Sequence, residues 1–255
     1  SAASDVYKRQ IYKYQSSERI IREVLDYFVE VHNCENIVTN ISQSVEIVAV
    51  YSPVKRIGQT ILSLTLGQIL ANDFTTLYIN MEEFSAFDKI FHQSYEGDLS
   101  DLMYFYKQSP DILPIKLKAI VNTIHKLDYI PPLVYSKDLR NIDTGGWVEL
   151  IKSVAATGMY EKIVIDLSSV VADVFSILDI CSKVYMPTIN DMVSSMKISA
   201  FEEYLVRSEN SEIIDKIIKV NMPRLHMDIE DESFLDRYLR NEFGDYVRSI
   251  LKEAA

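Results

Sequence analysis

Cysteine is scarce in this chain. Cys34 and Cys181 stand far apart with no metal-type spacing, which argues against a disulfide scaffold and for reduced thiols in cytoplasm. Histidine is equally thin: His32, His92, His125 and His226 are scattered and show no ligand spacing, so a histidine metal centre is not expected. Seven glycines and seven prolines leave the elements largely uninterrupted, and neither low-complexity tracts nor repeats are evident. No apolar run approaches the roughly 18 to 20 residues that cross a bilayer, and no secretory h-region lies near the start. Nucleophile elbows of the G-x-S-x-G type and dinucleotide G-x-G-x-x-G loops are missing too.

What is present is an acidic, core-forming chain. The formal net charge is −11, which repels phosphate backbones at long range, so nucleic acid is not an expected partner. Hydrophobic residues make up 48% and charged residues 25%, ordinary for a globular protein with a sizeable core. Residues 1–10, SAASDVYKRQ, look like the translation of a sequencing-library adapter and are set aside. Residues 11–40 read as a linker helix: a serine cap precedes Ile20, Ile21, Val24, Leu25 and Phe28 at helical spacing.

From residue 41 to 255 short β-branched runs alternate with helical patterns. EIVAVY, TTLYINM, EKIVIDLS, KVYMPT and DKIIKVNMP read as strands, and DYIPPLVY as a strand or extended piece ended by its prolines. Parallel neighbours need crossovers, and helices supply them. The pattern predicts an α/β fold: a doubly wound, mostly parallel sheet with helices on both faces. A TIM barrel needs eight such units, and only about five or six are legible. The last segment, DESFLDRYLRNEFGDYVRSILKEAA, reads as terminal helices broken near Gly244, with too little positive charge for a membrane anchor.

One loop invites chemistry. After EIVAVY comes SPVKRIGQT, Ser52 to Thr60, which leads into a helix N-terminus, where free N–H groups and the helix dipole favour an anion. Against the phosphate-loop template G-x-x-x-x-G-K-[ST], Gly58 and Thr60 match, whereas Pro53 and Gln59 do not. Gln59 can hydrogen-bond a phosphate oxygen but carries no charge. Lys55 and Arg56 either restore positive charge from another direction or simply solvate a surface turn.

The stretch from EIVAVY to INMEEFSAF resembles the opening of the MinD/ParA (deviant Walker A) P-loop ATPases, above all their divergent CpaE/TadZ-like branch with degenerate loops. YEKIVIDLSS and VYMPTIND follow in the expected order, so the likeness runs from about Glu46 to Leu251. It implies nucleotide contacts from Lys55, Arg56, Ile57, Gly58, Gln59, Thr60 and Ile61. Asn221 and Pro223 would lie around the base, and Thr60 with Asp166 would hold Mg2+. Asp166 read alone is equally a strand-end turn cap. The family's signature lysine falls on Val54, and its acidic switch falls on Asn80 and Glu82; Glu82 either orients water or is a solvated loop charge. With both family lysines missing, the resemblance implies ATP or ADP binding with weak or absent hydrolysis, a homodimer, and protein partners of a positioning, pilus or secretion system. It also suggests that residues 11–40 follow a receiver-like domain. The alternative is a pseudo-ATPase scaffold that binds no nucleotide.

Overall fold

The computed structural model describes residues 45–85, 87, 91, 94–95, 97–134, 137, 142, 144–172, 174–223 and 234–254. The expected linker helix and the adapter-like segment lie outside the described residues.

β1 (Glu46–Val50) leads through the SPVKRIGQT loop into α1 (Gln59–Leu70), and β2 (Thr76–Met81) follows. Next come α2 (Leu99–Gln108), α3 (Leu113–Ile120), β3 (Asn122–Ile124) and β4 (Leu127–Ile130). The second half runs α4 (Thr144–Ala156), β5 (Lys162–Leu167), α5 (Val174–Ile180), β6 (Lys183–Thr188), α6 (Met192–Arg207), α7 (Glu212–Asp215) and β7 (Ile217–Asn221). Helices α8 (Phe234–Arg240) and α9 (Glu242–Glu253) close the chain.

The strands form one seven-stranded sheet in the order β3-β4-β2-β5-β1-β6-β7. All pairs are parallel except β3 with β4. The doubly wound expectation is met, with one addition. Helix α3 ends at Ile120, and Asn122–Ile124 pairs antiparallel with β4 as an edge strand through a tight turn at His125, φ 55°.

Two cores explain why these strands are apolar throughout. One face packs Ile79, Met81, Ile163 and Ile165 against α2 to α7, with Trp147 and Leu150 from α4 at its heart. The opposite face packs Val48, Val50, Tyr78 and Val164 against α1, α8 and α9. Each fully buried aliphatic side chain stabilises the fold by about 1.5–3 kcal/mol. Helix α1 carries no charge and is buried continuously from Ile61 to Gln68, because it lies between the sheet and the C-terminal helices. Gly67 lets it approach β4, since a Cβ there would stand 3.0 Å from the Leu127 side chain.

Register places the site. Across the three central strands Val50 pairs with Asp166, and Asp166 pairs with Asn80. All three lie at the carboxyl ends, where chain direction out of β1 and β5 diverges; open α/β sheets bind ligands there. Among the described residues no helix is long and apolar enough to cross a membrane.

Candidate functional site

The loop after β1 is shaped from beneath. Tyr51 N–H donates to the Tyr185 carbonyl at 3.1 Å, carrying the sheet one residue further. Ser52 is fully buried, and its hydroxyl accepts from Val54 N–H at 3.1 Å. Val54 and Ile57 point down into the core. Arg56 at φ 63° and Gly58 at φ 85°, ψ 25° take left-handed conformations that wind the main chain back on itself. Alternation of this kind aims successive N–H groups into one concavity, an anion-binding nest. Among the described residues the N–H groups from 55 to 61 have no hydrogen-bond acceptor, and the N-cap Gly58 has no side chain to offer one. Lys55 and Arg56 are exposed on the crest, with the Lys55 ammonium 5.6 Å from the centre of the Tyr51 ring.

Gln59 occupies the position of the loop lysine and turns inward. Its Nε2 donates to Asp166 Oδ1 at 2.7 Å and to the Leu167 carbonyl at 3.0 Å, while its Oε1 accepts from Ser52 N–H at 3.2 Å. Both ends of the amide are therefore used to tie the loop to β5. Asp166 is fully buried. Its second oxygen accepts from the Tyr78 hydroxyl at 3.0 Å, and that hydroxyl in turn lies 3.3 Å from Ser63 Oγ and accepts from Asn80 Nδ2 at 3.4 Å. Asn80 Oδ1 accepts from Glu82 N–H at 3.0 Å, which turns the chain at the end of β2.

This concentration of carboxyl groups has electrostatic consequences. Burial pushes the Asp166 pKa up, and hydrogen bonds from Gln59, Thr60, Tyr78 and Ser63 offset part of that. Burial, then the nearby Asp166 charge, raises Glu82 to about 7, against the opposing hydrogen bonds of Thr60 and Asn80 and the charge of Lys55. Desolvation lowers Lys55, opposed by the attraction of Asp166 and Glu82. Burial also drives the Tyr78 phenol well above its ordinary range, so it remains a donor.

The loop, Thr60, Asn80, Glu82 and Asp166 converge on one place at the sheet's carboxyl edge. Within the loop Ile57 and Ile61 bury their side chains, so they can offer a ligand only their main chain. Asn221 ends β7 and lines a cleft of about 340 Å³ with Thr188, Asn190, Ser199, Glu202 and Lys219; Pro223 is exposed just beyond the strand. Sequence reasoning missed Tyr78 and Ser63. Their signal was faint: Tyr78 and Asn80 alternate as polar-capable residues in an otherwise aliphatic strand, and Ser63 lies one helical turn after Gln59.

No protein-family profile and no curated protein sequence matches this chain. Solved structures do match it. A ParA family ATPase from Chlorobium tepidum TLS aligns with TM-score 0.63 and 14% identity over 82% of this chain and 99% of its own. A chain of the Aquifex aeolicus MinC:MinD cell division protein complex aligns with TM-score 0.59 and 14% identity, over 82% of this chain and 96% of the other. A putative plasmid partition protein from Borrelia burgdorferi B31, solved bound to AMPPNP, aligns with TM-score 0.57 and 14% identity, over 83% and 100%. These likenesses establish that the chain has the P-loop fold of the ParA and MinD ATPases.

Proposed function

We propose that this protein is a nucleotide-binding regulatory or positioning protein of MinD/ParA type, most similar to the CpaE/TadZ-like branch, with slow or absent ATP hydrolysis. The observation that carries the reading is the nest of N–H groups from 55 to 61, wound by left-handed Arg56 and Gly58 and flanked by two exposed cations. Such a nest holds phosphate oxygens without a loop lysine, because main-chain dipoles and a helix N-terminus favour the anion. The missing ammonium weakens binding, since a charge-assisted hydrogen bond contributes roughly 1.5–3 kcal/mol against about 1 for a neutral one. Hydrolysis suffers more, because the first switch position is the neutral Asn80 and its side chain is committed to Tyr78 and Glu82.

The output of such a protein is an assembly, and the exposed surface suits one. Phe84, Val134, Met192, Val193 and Met196 are large, exposed apolar residues that follow the carboxyl ends of β2, β4 and β6, around the loop. The same edge of the sheet carries Lys55 near Glu82, with Arg56 exposed next to it in the chain. A surface with apolar residues and both charge signs offers the kinds of group that a two-fold contact between copies pairs. Homodimerisation through this face, presenting a surface to a pilus, secretion or positioning partner, completes the reading.

A thermal-shift and calorimetry panel with ADP, ATP and GTP tests it. The expected result is a rise in Tm with ADP or ATP, because a ligand that binds only the native state stabilises it. A second reading is favoured by the Gln59–Asp166 bridge: a pseudo-ATPase scaffold that binds no nucleotide. Unchanged Tm and no heat at millimolar nucleotide would favour that scaffold and sink the first reading.

A further inference from the structure

The fold family implies a magnesium ion between Thr60 and the carboxylate that ends β5. Mg2+ demands near-octahedral oxygen ligands at about 2.0–2.1 Å and sheds its water reluctantly, keeping several molecules in its shell. Asp166 offers no solvent-facing surface at all. One of its oxygens is taken by Gln59 Nε2 at 2.7 Å and the other by the Tyr78 hydroxyl at 3.0 Å. These partners are themselves held in place. Gln59 is fixed at both ends by Ser52 N–H and the Leu167 carbonyl, and Tyr78 by Asn80 and Ser63. A hydrated cation entering here would have to displace both donors, and the fully buried Tyr78 hydroxyl would lose its carboxylate acceptor. The residues present do not fit the ion.

We propose that Gln59 serves Asp166 as a built-in neutral substitute for the cation, so that the loop takes its nucleotide phosphates free of divalent metal. The proposal rests on the nucleotide reading for its ligand, but its physical claim concerns Asp166 and holds without any nucleotide. With neither ammonium nor metal in the pocket, the countercharge to the phosphates would come from Lys55 and Arg56 on the crest, Lys55 also facing Asp166 and Glu82. Among the described residues no group of three or more acidic, histidine or cysteine side chains offers another metal seat.

Two measurements decide it. ADP is titrated calorimetrically in EDTA and again with excess Mg2+. A Kd unchanged within about threefold supports the proposal, and any larger loss in EDTA overturns it; tenfold corresponds to about 1.4 kcal/mol. In parallel, Mn2+ is titrated into isotope-labelled protein, alone and with ADP, while the amide signals of Thr60, Asp166 and Leu167 are followed. Retained intensity supports the proposal; saturable paramagnetic broadening at those amides overturns it. If ADP binds in neither buffer, the nucleotide function falls, and the Mn2+ titration alone decides whether Asp166 is closed. Gln59→Ala tests the cause: with the variant folded, the same amides are expected to broaden, and their silence would show that Gln59 is not what closes the site.

Discussion

At position 58 the main chain sits at φ 85°, where any residue with a Cβ is strained. Gly58→Ala is expected to destabilise the protein by about 1 kcal/mol, the penalty of a left-handed residue. It should also flatten the nest, so weaker binding of inorganic phosphate or ADP must accompany the shift in a urea melt. One position later the issue is polarity. Gln59→Leu keeps the size of the side chain and leaves Asp166 Oδ1 without its shortest partner inside the core. A cost of about 2 kcal/mol or more follows, since an orphaned buried acceptor loses its full desolvation penalty. Gln59→Lys instead sets an ammonium against the same carboxylate and should recover most of that stability. If Leu and Lys melt alike in urea, the bridge between Gln59 and Asp166 contributes nothing and the account of this residue is wrong.

Helix α2 shows how one carboxylate can organise a whole element. Asp98 Oδ1 accepts from Ser100 N–H at 2.8 Å and Asp101 N–H at 3.1 Å, and Asp101 Oδ2 returns the bond to Asp98 N–H at 3.0 Å, a reciprocal capping box. Its other oxygen accepts from Val134 N–H at 3.0 Å, tying the helix start to the chain that leaves β4. Asp98→Ala should therefore cost about 2 kcal/mol, the upper end for a lost cap, measurable as a lowered urea midpoint. A helix start of this kind has a local cause, an aspartate before an apolar periodic run. The buried strands were legible for a similar reason, as β-branched runs need no partner to be recognised. β3 was not, for Asn122–Ile124 is a short, half-exposed edge piece that only its pairing with β4 defines. The C-terminal break, expected near Gly244, falls at Asn241, whose side chain caps α9. Gly244 matters for packing instead. A Cβ there would stand 2.4 Å from the Leu239 carbonyl, so the glycine lets α8 and α9 approach closely. In the site the loop was readable from its own residues, whereas the closeness of Asn80 to Asp166 is a matter of register between β2 and β5. Tyr78 and Ser63 became visible only when that register brought them under the carboxylate.

Across the molecule, stability should depend on pH with opposite signs on either side of the mildly acidic range. Glu82 titrates at about 7 in the fold against an ordinary value of 4.5, so between those limits the native state holds a proton that the unfolded chain has lost. Stability rises with pH only where the unfolded state binds more protons; here the native state binds more, so stability is full below about 4.5 and is lost as pH climbs through about 7. Asp166, raised in the same direction chiefly by burial, adds to that slope. Glu46 works the other way: burial alone would raise it, but Lys162 and Lys183 hold it below its ordinary value. Asp191, lowered by its hydrogen bonds to Ser194, adds a contribution of the same sign. Their stabilisation is present above the ordinary carboxylate range and vanishes as the medium is acidified. The net charge of −11 reinforces the loss at high pH through self-repulsion, but that part is screened by salt, while the buried pair is screened much less. A series of thermal melts separates the two. Tm should be higher near about pH 5.5 than near about pH 8, where Glu82 is ionised. Salt should reduce that difference without abolishing it. Glu82→Gln, which removes the titrating carboxyl and keeps the amide's hydrogen-bonding shape, should flatten most of what salt leaves. A residual slope as steep in Glu82→Gln as in the parent chain would place the pH response in surface repulsion and not beside the loop.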